Sequence, residues 1–348
     1  MGARIVRRVF SGLSRMRGMV MAPLLGAAAL AGGGLLGLVT TMPGESWRGP
    51  LPALSEEENG LAQRLRAHVE QIAAREHNTA HPGALEDAAR YIETTLASLG
   101  YTVKQQMFSA DGNRVRNLEV SVRGPGAENG KPGVLVVGAH YDSARGTPGA
   151  NDNASGSAAV IELARALRQE ALPPGSEIRL VLFVNEEQPY FKSPQMGSFL
   201  HARDLYRHGE NVIGMLSLET IGYYSDEKNS QHYPAPLNRL YPDTGNFIGF
   251  VGDTGSRDLV QQAIASFRRH AKFPSEGLAA PASIPGIDWS DHWAYRQHGF
   301  PALMITDTAP YRYPHYHSKH DTPDKVDYER LARVVAGVEK VVRDLAAR

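Results

Sequence analysis

The chain contains 348 residues, with 37 basic and 37 acidic side chains and no cysteine. The balanced charge and the absence of a basic stripe with interleaved aromatic residues argue against nucleic-acid binding. The absence of cysteine excludes disulfide bonds, thiolate metal ligands and a cysteine nucleophile. A chain of this length can form one large α/β domain or two medium domains with a sizeable core.

The amino-terminal segment has the pattern of a membrane-targeting sequence. Residues 1–18 form a basic leader with five arginines and no acid, and residues 19–42 carry no charge. A bilayer core requires about 20 apolar residues in a helix, whereas the apolar part of a cleaved signal has about 7–15. We therefore predict a signal anchor, with a cleaved signal peptide as the alternative. The leader would remain cytoplasmic and the rest would be exported to the periplasmic or extracellular face.

The next segments predict a linker followed by two helices. Residues 43–55 are rich in Pro and Gly and predict a linker. Ser55 is a candidate cap for a first helix at about 56–76, and Gly100 is a candidate terminating glycine for a second at about 83–99.

Strands and helices then alternate to the end of a single domain, residues 56–348. The predicted strands are YTVKQQMF, RNLEVSVRG, GVLVVGAH, EIRLVLFVNEE, VIGMLSLETIGYY and PALMITDTA. The predicted helices are residues 155–169, MGSFLHARDLY, SRDLVQQAIASFRRHA and YERLARVVAGVEKVVRDLAA, and residues 225–247 predict a long loop. Four strands are continuously apolar, as expected for strands covered on both faces. This alternation predicts an α/β fold with a doubly wound, mainly parallel central sheet flanked by helices.

Polar side chains follow each of the four buried strands. Ligands of open α/β sheets bind beyond the carboxyl ends of the strands. One site assembled from distant loops would explain these polar positions together, namely His140 and Asp142, Glu186 and Glu187, Glu219, and Asp307.

His140 and Asp142 are two residues apart in an extended segment, so their side chains point the same way. Asp142 could accept the second ring N–H of a metal-bound His140, although a surface pair is the alternative. Asp152 lies in the crowded turn GANDNASG before a predicted helix. It is either a helix cap or a carboxylate held by tight backbone geometry.

Glu186 and Glu187 end a buried strand, which is costly unless a cation is near. Their side chains should diverge, so that one could bind a metal while the other serves as a general base. Glu219 likewise ends an otherwise apolar strand.

The late tract PHYHSKHD offers His315, His317 and His320. Carboxylates and imidazoles without thiolates suit zinc, manganese or cobalt. The sequence contains no phosphate-binding loop, no G-x-S-x-G elbow and no H-E-x-x-H motif, so other catalytic chemistries have little support.

The order of these motifs resembles the co-catalytic zinc exopeptidases of clan MH. The motifs are, in order, H-x-D, the Asp of GANDNASG, EE, an acid before IG, and YH before DT. The resemblance covers about residues 60–345. The segments NEEQPYF…MGS and SDHWAY…GFPALMITDTA resemble bacterial exported aminopeptidase-like members. Glutamate-carboxypeptidase-like enzymes and glutaminyl cyclases are related. The resemblance implies the three-layer sandwich of the zinc aminopeptidases.

The resemblance also implies a set of metal ligands. Asp152 would bridge two divalent ions, most simply zinc, with cobalt or manganese as alternatives. One ion would be completed by His140 and Glu219, and the other by Glu187 and His317. His315 or His320 could replace His317, although the spacing to DT favours His317.

Further roles follow from the same resemblance. Glu186 would be the catalytic base, Asp142 would orient His140, and the peptide bond after Asp152 is often cis in this family. Many members have Asp at the position of Glu219, where the extra methylene could change how the carboxylate binds.

Substrate contacts are also implied. Asp291 in the SDHW segment is a candidate polar contact. Tyr223, Tyr224, Trp289 and Tyr316 could form a side-chain pocket, with ordinary packing as the alternative for each.

These observations predict a metal-dependent aminopeptidase that removes N-terminal residues from peptide substrates. One alternative is a glutaminyl-cyclase-like aminoacyltransferase, which usually works with one zinc. Another is a carboxypeptidase, with Arg312 or Lys319 holding the substrate carboxylate. A non-catalytic, receptor-like domain is least favoured, because no ligand and no base is missing from the motif set.

Overall fold

The computed structural model describes residues 40–348, apart from residues 128–130, 170 and 236. Met42–Arg348 form one compact unit. The predicted basic leader and nearly all of the apolar segment lie outside the described residues. Within the described part of the chain, no helix combines the length and the apolar character needed to cross a bilayer.

In the described residues, eight strands form a single sheet flanked by helices. In chain order the strands are β1 (Lys104–Ala110), β2 (Asn113–Arg123), β3 (Gly133–His140), β4 (Ser176–Phe183), β5 (Val212–Glu219), β6 (Ile248–Asp253), β7 (Ser275–Ala280) and β8 (Ala302–Thr306). The helices are α1 (Glu56–Ile72), α2 (Pro82–Ser98), α3 (Ser155–Leu167), α4 (Gly197–Arg207), α5 (Arg257–His270), α6 (His292–Gln297), α7 (Ala309–Arg312) and α8 (Tyr328–Ala346).

The sheet is mixed, with a parallel centre. Its strand order is β1-β2-β4-β3-β5-β8-β6-β7. The pairs β4–β3, β3–β5, β5–β8 and β6–β7 are parallel, whereas β1–β2, β2–β4 and β6–β8 are antiparallel. The α/β fold is therefore confirmed. The antiparallel flank at β1–β2 arises because only two residues connect these strands, which permits a hairpin but no crossover.

Helices cover both faces of the sheet. Along β3, Leu135 and Val137 belong to the larger apolar core, which contains residues of α1, α2, α3, α5 and α8. Val134 and Val136 point to the other face, where a smaller core contains residues of α4 and α6. This alternation produces three layers, because both faces of a continuously apolar strand must be buried.

Strands β6 and β7 and the short helices α6 and α7 were not predicted. β6 (IGFVGD) contains two glycines, and β7 (SEGLAA) is rich in small residues with low strand propensity. Their extended conformation depends on pairing with β8 and with each other, which local sequence does not encode.

The segment predicted as a linker, residues 43–55, lies against the domain. The N–H of Ser275 in β7 donates to Oγ of Ser46, and Arg268 of α5 donates to the carbonyl oxygens of Pro43 and Gly44. These contacts satisfy polar groups beside the edge strand β7, so the segment is ordered despite its composition.

The predicted caps of the first two helices are confirmed. The Ser55 hydroxyl accepts the N–H of Glu58, and the Glu58 carboxylate accepts the N–H of Ser55, which is a complete capping box. Gly100 follows α2 with a φ of +85°, a left-handed conformation that favours glycine.

Helix α3 begins against the carboxyl end of β5, and Gly156 lies at this contact. A Cβ added to Gly156 would lie 2.4 Å from the carbonyl oxygen of Leu218 and 2.5 Å from Oδ1 of Asn153. The Asn153 amide donates to that carbonyl, and its oxygen accepts the N–H groups of Gly156 and Thr220. This contact fixes the turn before α3 relative to Glu219, the last residue of β5.

Replacing Gly156 with alanine is expected to lower the free energy of unfolding by about 1–3 kcal/mol, because backbone atoms must move apart. Gly83→Ala is the matched control, since an added Cβ there meets nothing within 4 Å. The control should be neutral or stabilising by about 0.5–1 kcal/mol. Urea-induced unfolding measures both, and equal midpoints would contradict the contact at Gly156.

Candidate metal centre

The carboxyl ends of β3, β4, β5 and β8 lie at one edge of the sheet, and the predicted site residues gather there. His140 ends β3 and is completely buried. Its Nδ1 lies 2.9 Å from the backbone carbonyl oxygen of Asp142. A carbonyl oxygen only accepts, so Nδ1 carries a proton and Nε2 is the ring nitrogen that faces the cluster. Nε2 has no hydrogen-bond partner among the described residues. With Nδ1 held by the carbonyl, Nε2 is the nitrogen that a metal could bind.

Asp152 lies in the irregular turn Ala150–Ala154, and its peptide bond to Asn153 is cis, as the resemblance implied. The Asp321 carboxylate accepts the N–H of Asn151 at 2.8 Å and that of Asp152 at 3.1 Å. Asp307 accepts the side-chain amide of Asn151 at 2.9 Å. Two buried carboxylates therefore hold this turn, Asp321 through the backbone and Asp307 through the Asn151 side chain, and the Asp152 side chain is left directed at the site.

The Asp152 carboxylate lies between two imidazoles. Its Oδ1 is 3.3 Å from Nε2 of His140, and its Oδ2 is 2.9 Å from Nε2 of His317. Glu219 Oε2 lies 3.4 Å from the same His140 nitrogen, and Glu187 Oε1 lies 3.3 Å from the His317 nitrogen.

These contacts define two groups of potential ligands that share Asp152. In each group the ligand atoms lie within 4.8 Å of one another. The groups are His140, Asp152 and Glu219, and Asp152, Glu187 and His317. Of the three late histidines, His317 is the one that reaches the cluster, while the rings of His315 and His320 lie beside each other.

Glu186 lies beside the first group. Its Oε2 is 3.9 Å from Nε2 of His140, and it forms a third group with His140 and Glu187. The Asp142 carboxylate accepts the N–H of Glu186 at 3.2 Å and the N–H of Glu187 at 3.3 Å. Asp142 thus holds His140 through its carbonyl and both glutamates through its side chain.

Two contributors were not assigned a role from the sequence. The Ser290 hydroxyl donates to Oε2 of Glu219 at 2.8 Å. Asp321 holds the Asp152 turn as described above, and Tyr313 donates to its carboxylate at 2.8 Å. Ser290 lies in the SDHW segment, and Asp321 is the acid of the DT motif. Neither motif alone indicates which group these side chains contact.

The cluster places several acids in a buried space. Burial, opposed by His140 and reinforced by Glu219 and Glu187, raises the pKa of Glu186 well above its ordinary value. Burial and the Asp152 charge raise the pKa of Glu187 to about 7. Although burial lowers it, the adjacent carboxylates of Asp152 and Glu187 raise the pKa of His317 to about 11. The site therefore attracts positive charge strongly.

The residues fit divalent cations. Nε2 of His140 and Oε1 of Glu187 are buried without a hydrogen-bond partner among the described residues. Buried polar atoms are rarely left unpaired, and an ion that the site is built to hold is one explanation. Carboxylate oxygens with imidazole nitrogens suit zinc and neighbouring metals.

An apolar cavity adjoins the cluster at Glu219. Tyr316 and Trp289, two of the predicted pocket residues, line it. Tyr223 and Tyr224 do not line this cavity, because the Tyr223 ring packs on Tyr313 and Tyr224 packs on Phe273.

Asp291, the predicted polar contact, is completely buried and also lies outside the cavity lining. Neither carboxylate oxygen has a hydrogen-bond partner among the residues described. Burial raises the pKa of Asp291 to about 7.

Comparison with known proteins agrees with this arrangement. The model of Peptidase family M28 matches residues 119–342. The uncharacterized protein YfbL of Escherichia coli is 40% identical over 84% of this chain and 91% of its own length. Aminopeptidase YwaD of Bacillus subtilis is 28% identical over 61% of this chain and 42% of its own length, so the chain spans less than half of that relative.

Solved structures show the same fold. The LapA aminopeptidase of Legionella pneumophila superimposes with a TM-score of 0.65 at 16% identity, covering 86% of this chain and 78% of that one. A Bacteroides thetaiotaomicron glutaminyl cyclase does so with a TM-score of 0.59 at 18% identity, covering 86% of this chain and 99% of that one. The motifs, the buried acid–imidazole cluster and the family match lead to one conclusion: the chain belongs to peptidase family M28 and is a metallo-exopeptidase.

Proposed function

We propose that the protein is an aminopeptidase that removes N-terminal residues from peptides with two divalent ions, most simply zinc. The observation that carries the proposal is the Asp152 carboxylate, whose two oxygens face two separate ligand groups. A carboxylate in this position is suited to bridging a pair of ions.

His140 and Glu219 would complete one ion, and Glu187 and His317 the other. Bound zinc would supply Lewis acidity, which lowers the pKa of water and stabilises negative charge on a carbonyl oxygen. The contribution of the chain is to hold the ligands in place. The carbonyl of Asp142 fixes the His140 ring, and the Ser290 hydroxyl fixes the Glu219 carboxylate.

Glu186 is the proposed general base. Its carboxylate adjoins the His140 group without belonging to either group that shares Asp152. It would take a proton from the attacking water and later return it to the leaving amine. The Asp142 side chain holds its backbone N–H, which keeps Glu186 beside the cluster.

The two enzymatic alternatives receive less support. A single-zinc cyclase does not need both groups around Asp152, whereas this chain retains both. A carboxypeptidase needs a cation for the substrate carboxylate. Arg312 is buried and donates to Gln231 and to the Phe247 carbonyl, so it is already engaged within the fold. Lys319 is exposed.

We also propose that the enzyme is exported and anchored through residues 19–42. The support is the basic leader followed by an uncharged stretch. Fusing residues 1–55 to a reporter that folds only in the periplasm should give membrane-bound activity. An inactive reporter in the cytoplasm would contradict export. An active reporter released from the membrane would show that the segment is a cleaved signal peptide and not an anchor.

Substituting Glu186 with glutamine is expected to lower kcat for aminoacyl anilides by about 10²–10⁴-fold, because the base is lost while the shape is kept. Zinc content should stay unchanged. The exposed Glu227→Gln variant, which makes the same change outside the cluster, is the control. Steady-state kinetics on zinc-loaded proteins measures the effect, and full activity of Glu186→Gln would remove Glu186 from the mechanism.

Zinc removal tests the two-ion arrangement. Dialysis against a chelator should abolish hydrolysis, and zinc should restore it with two ions bound per chain. His317→Ala and Glu219→Ala should each lower this to one tight ion, because each variant removes a ligand from a different group. Elemental analysis after equilibrium dialysis gives the count. One tight zinc in the unmodified protein, together with cyclisation of N-terminal glutamine, would favour the cyclase instead.

A further inference from the structure

The cavity beside Glu219 runs across the sheet along one row of paired residues. Glu219 of β5 pairs with Thr306 of β8, Thr306 with Gly249 of β6, and Gly249 with Glu276 of β7. Residues paired across strands present their side chains on the same face. All four line the cavity, which therefore has one carboxylate at the metal cluster and another three strands away.

Beside the row that joins these two acids, the floor of the cavity is apolar. The neighbouring row consists of Met304, Val251 and Leu278, which pair across the same strands and also line the cavity. Gly249 adds no side chain between the two acids. Three strand spacings correspond to about 14 Å. The cavity is therefore a slot that suits a long, unbranched side chain extending away from the metals.

Two tyrosines from the long loop close the far end. Tyr233 and Tyr241 line the cavity, with ring centroids 5.7 Å apart. The Tyr233 hydroxyl donates to the carbonyl of Pro242, and the Tyr241 hydroxyl donates to that of Gly277. Because both hydroxyl protons are committed, the phenol oxygens are left to accept. The end of the slot offers acceptors and aromatic faces, which suits a cation.

Glu276 has no ion-pair partner within the described residues. Burial raises the pKa of Glu276, and the charges of Arg268 and Arg48 oppose this. Arg268 directs its donors to Ser275 and to the carbonyls of Pro43 and Gly44. Arg48 is exposed. A half-buried carboxylate without a partner at the end of an apolar slot is costly, and a cationic ligand would offset that cost.

From this geometry we infer that the slot is the binding site for the first side chain of the peptide and selects lysine or arginine. The apolar stem lies over Met304, Val251 and Leu278, and the charged head meets Glu276 between the two tyrosines. This inference rests on the proposed aminopeptidase function, because that function places the N-terminal residue at the metal cluster.

Norleucine is the matched comparison, since its side chain has the same four-carbon stem as lysine without the ammonium group. The zinc-loaded enzyme should hydrolyse lysine p-nitroanilide with a kcat/KM about 10- to 100-fold above that for norleucine p-nitroanilide. Glu276→Gln should remove this preference and leave norleucine hydrolysis within about twofold of the unmodified enzyme. Glu227→Gln should change neither substrate.

A binding measurement separates this subsite from the reaction. Calorimetry on the slowed Glu186→Gln protein should show tighter binding of lysinamide than of norleucinamide, and adding Glu276→Gln should abolish the difference. Equal binding of the two amides, or better hydrolysis of norleucine, would overturn the lysine subsite while leaving an aminopeptidase. Preferred binding of lysinamide without hydrolysis of any anilide would support the subsite and overturn the proposed reaction.

Discussion

The Asp152 carboxylate, held between the imidazoles of His140 and His317, is the contact on which the site depends. The two ring nitrogens approach opposite oxygens of one carboxylate, at 3.3 and 2.9 Å. Asp152 can occupy this position because Asp321 accepts its backbone N–H and that of Asn151. The acids around the turn are thus divided between those that hold the backbone and those left to bind cations.

The sheet brings this contact together. The parallel order of β4, β3, β5 and β8 places their carboxyl ends at one edge, so residues far apart in sequence meet around the Asp152 carboxylate. The same sheet extends through β6 and β7 to form the floor of the cavity. One row of pairing therefore connects a proposed metal ligand, Glu219, with the carboxylate of Glu276 at the far end of the slot.

Much of the central sheet and the cluster was predictable from the sequence. Continuous apolar runs such as VLVV and LVLFV predict buried strands. An acid or a histidine shortly after each run indicates that these polar residues lie at the same edge of the sheet. The sequence did not reveal β6 and β7, because glycine and small residues become strands there only through pairing. The cavity floor and the position of Glu276 therefore had no sequence signal.

The predictions for single residues near the cluster were also only partly met. The motif order selected His317 among three histidines, and it is the one that contacts Asp152 and Glu187. The SDHW segment suggested Asp291 as a substrate contact, yet the structure buries Asp291 completely while its neighbour Ser290 contacts Glu219. Motifs identify which segments converge, but side-chain direction depends on tertiary packing.

The most direct test of the central claim is anomalous X-ray scattering at the zinc edge from crystals of the zinc-loaded protein. The account predicts two peaks about 3.5–4 Å apart, one on each side of the Asp152 carboxylate. One peak would face His140 and Glu219, and the other would face Glu187 and His317. A single peak, or zinc bound away from Asp152, would contradict the shared-carboxylate site.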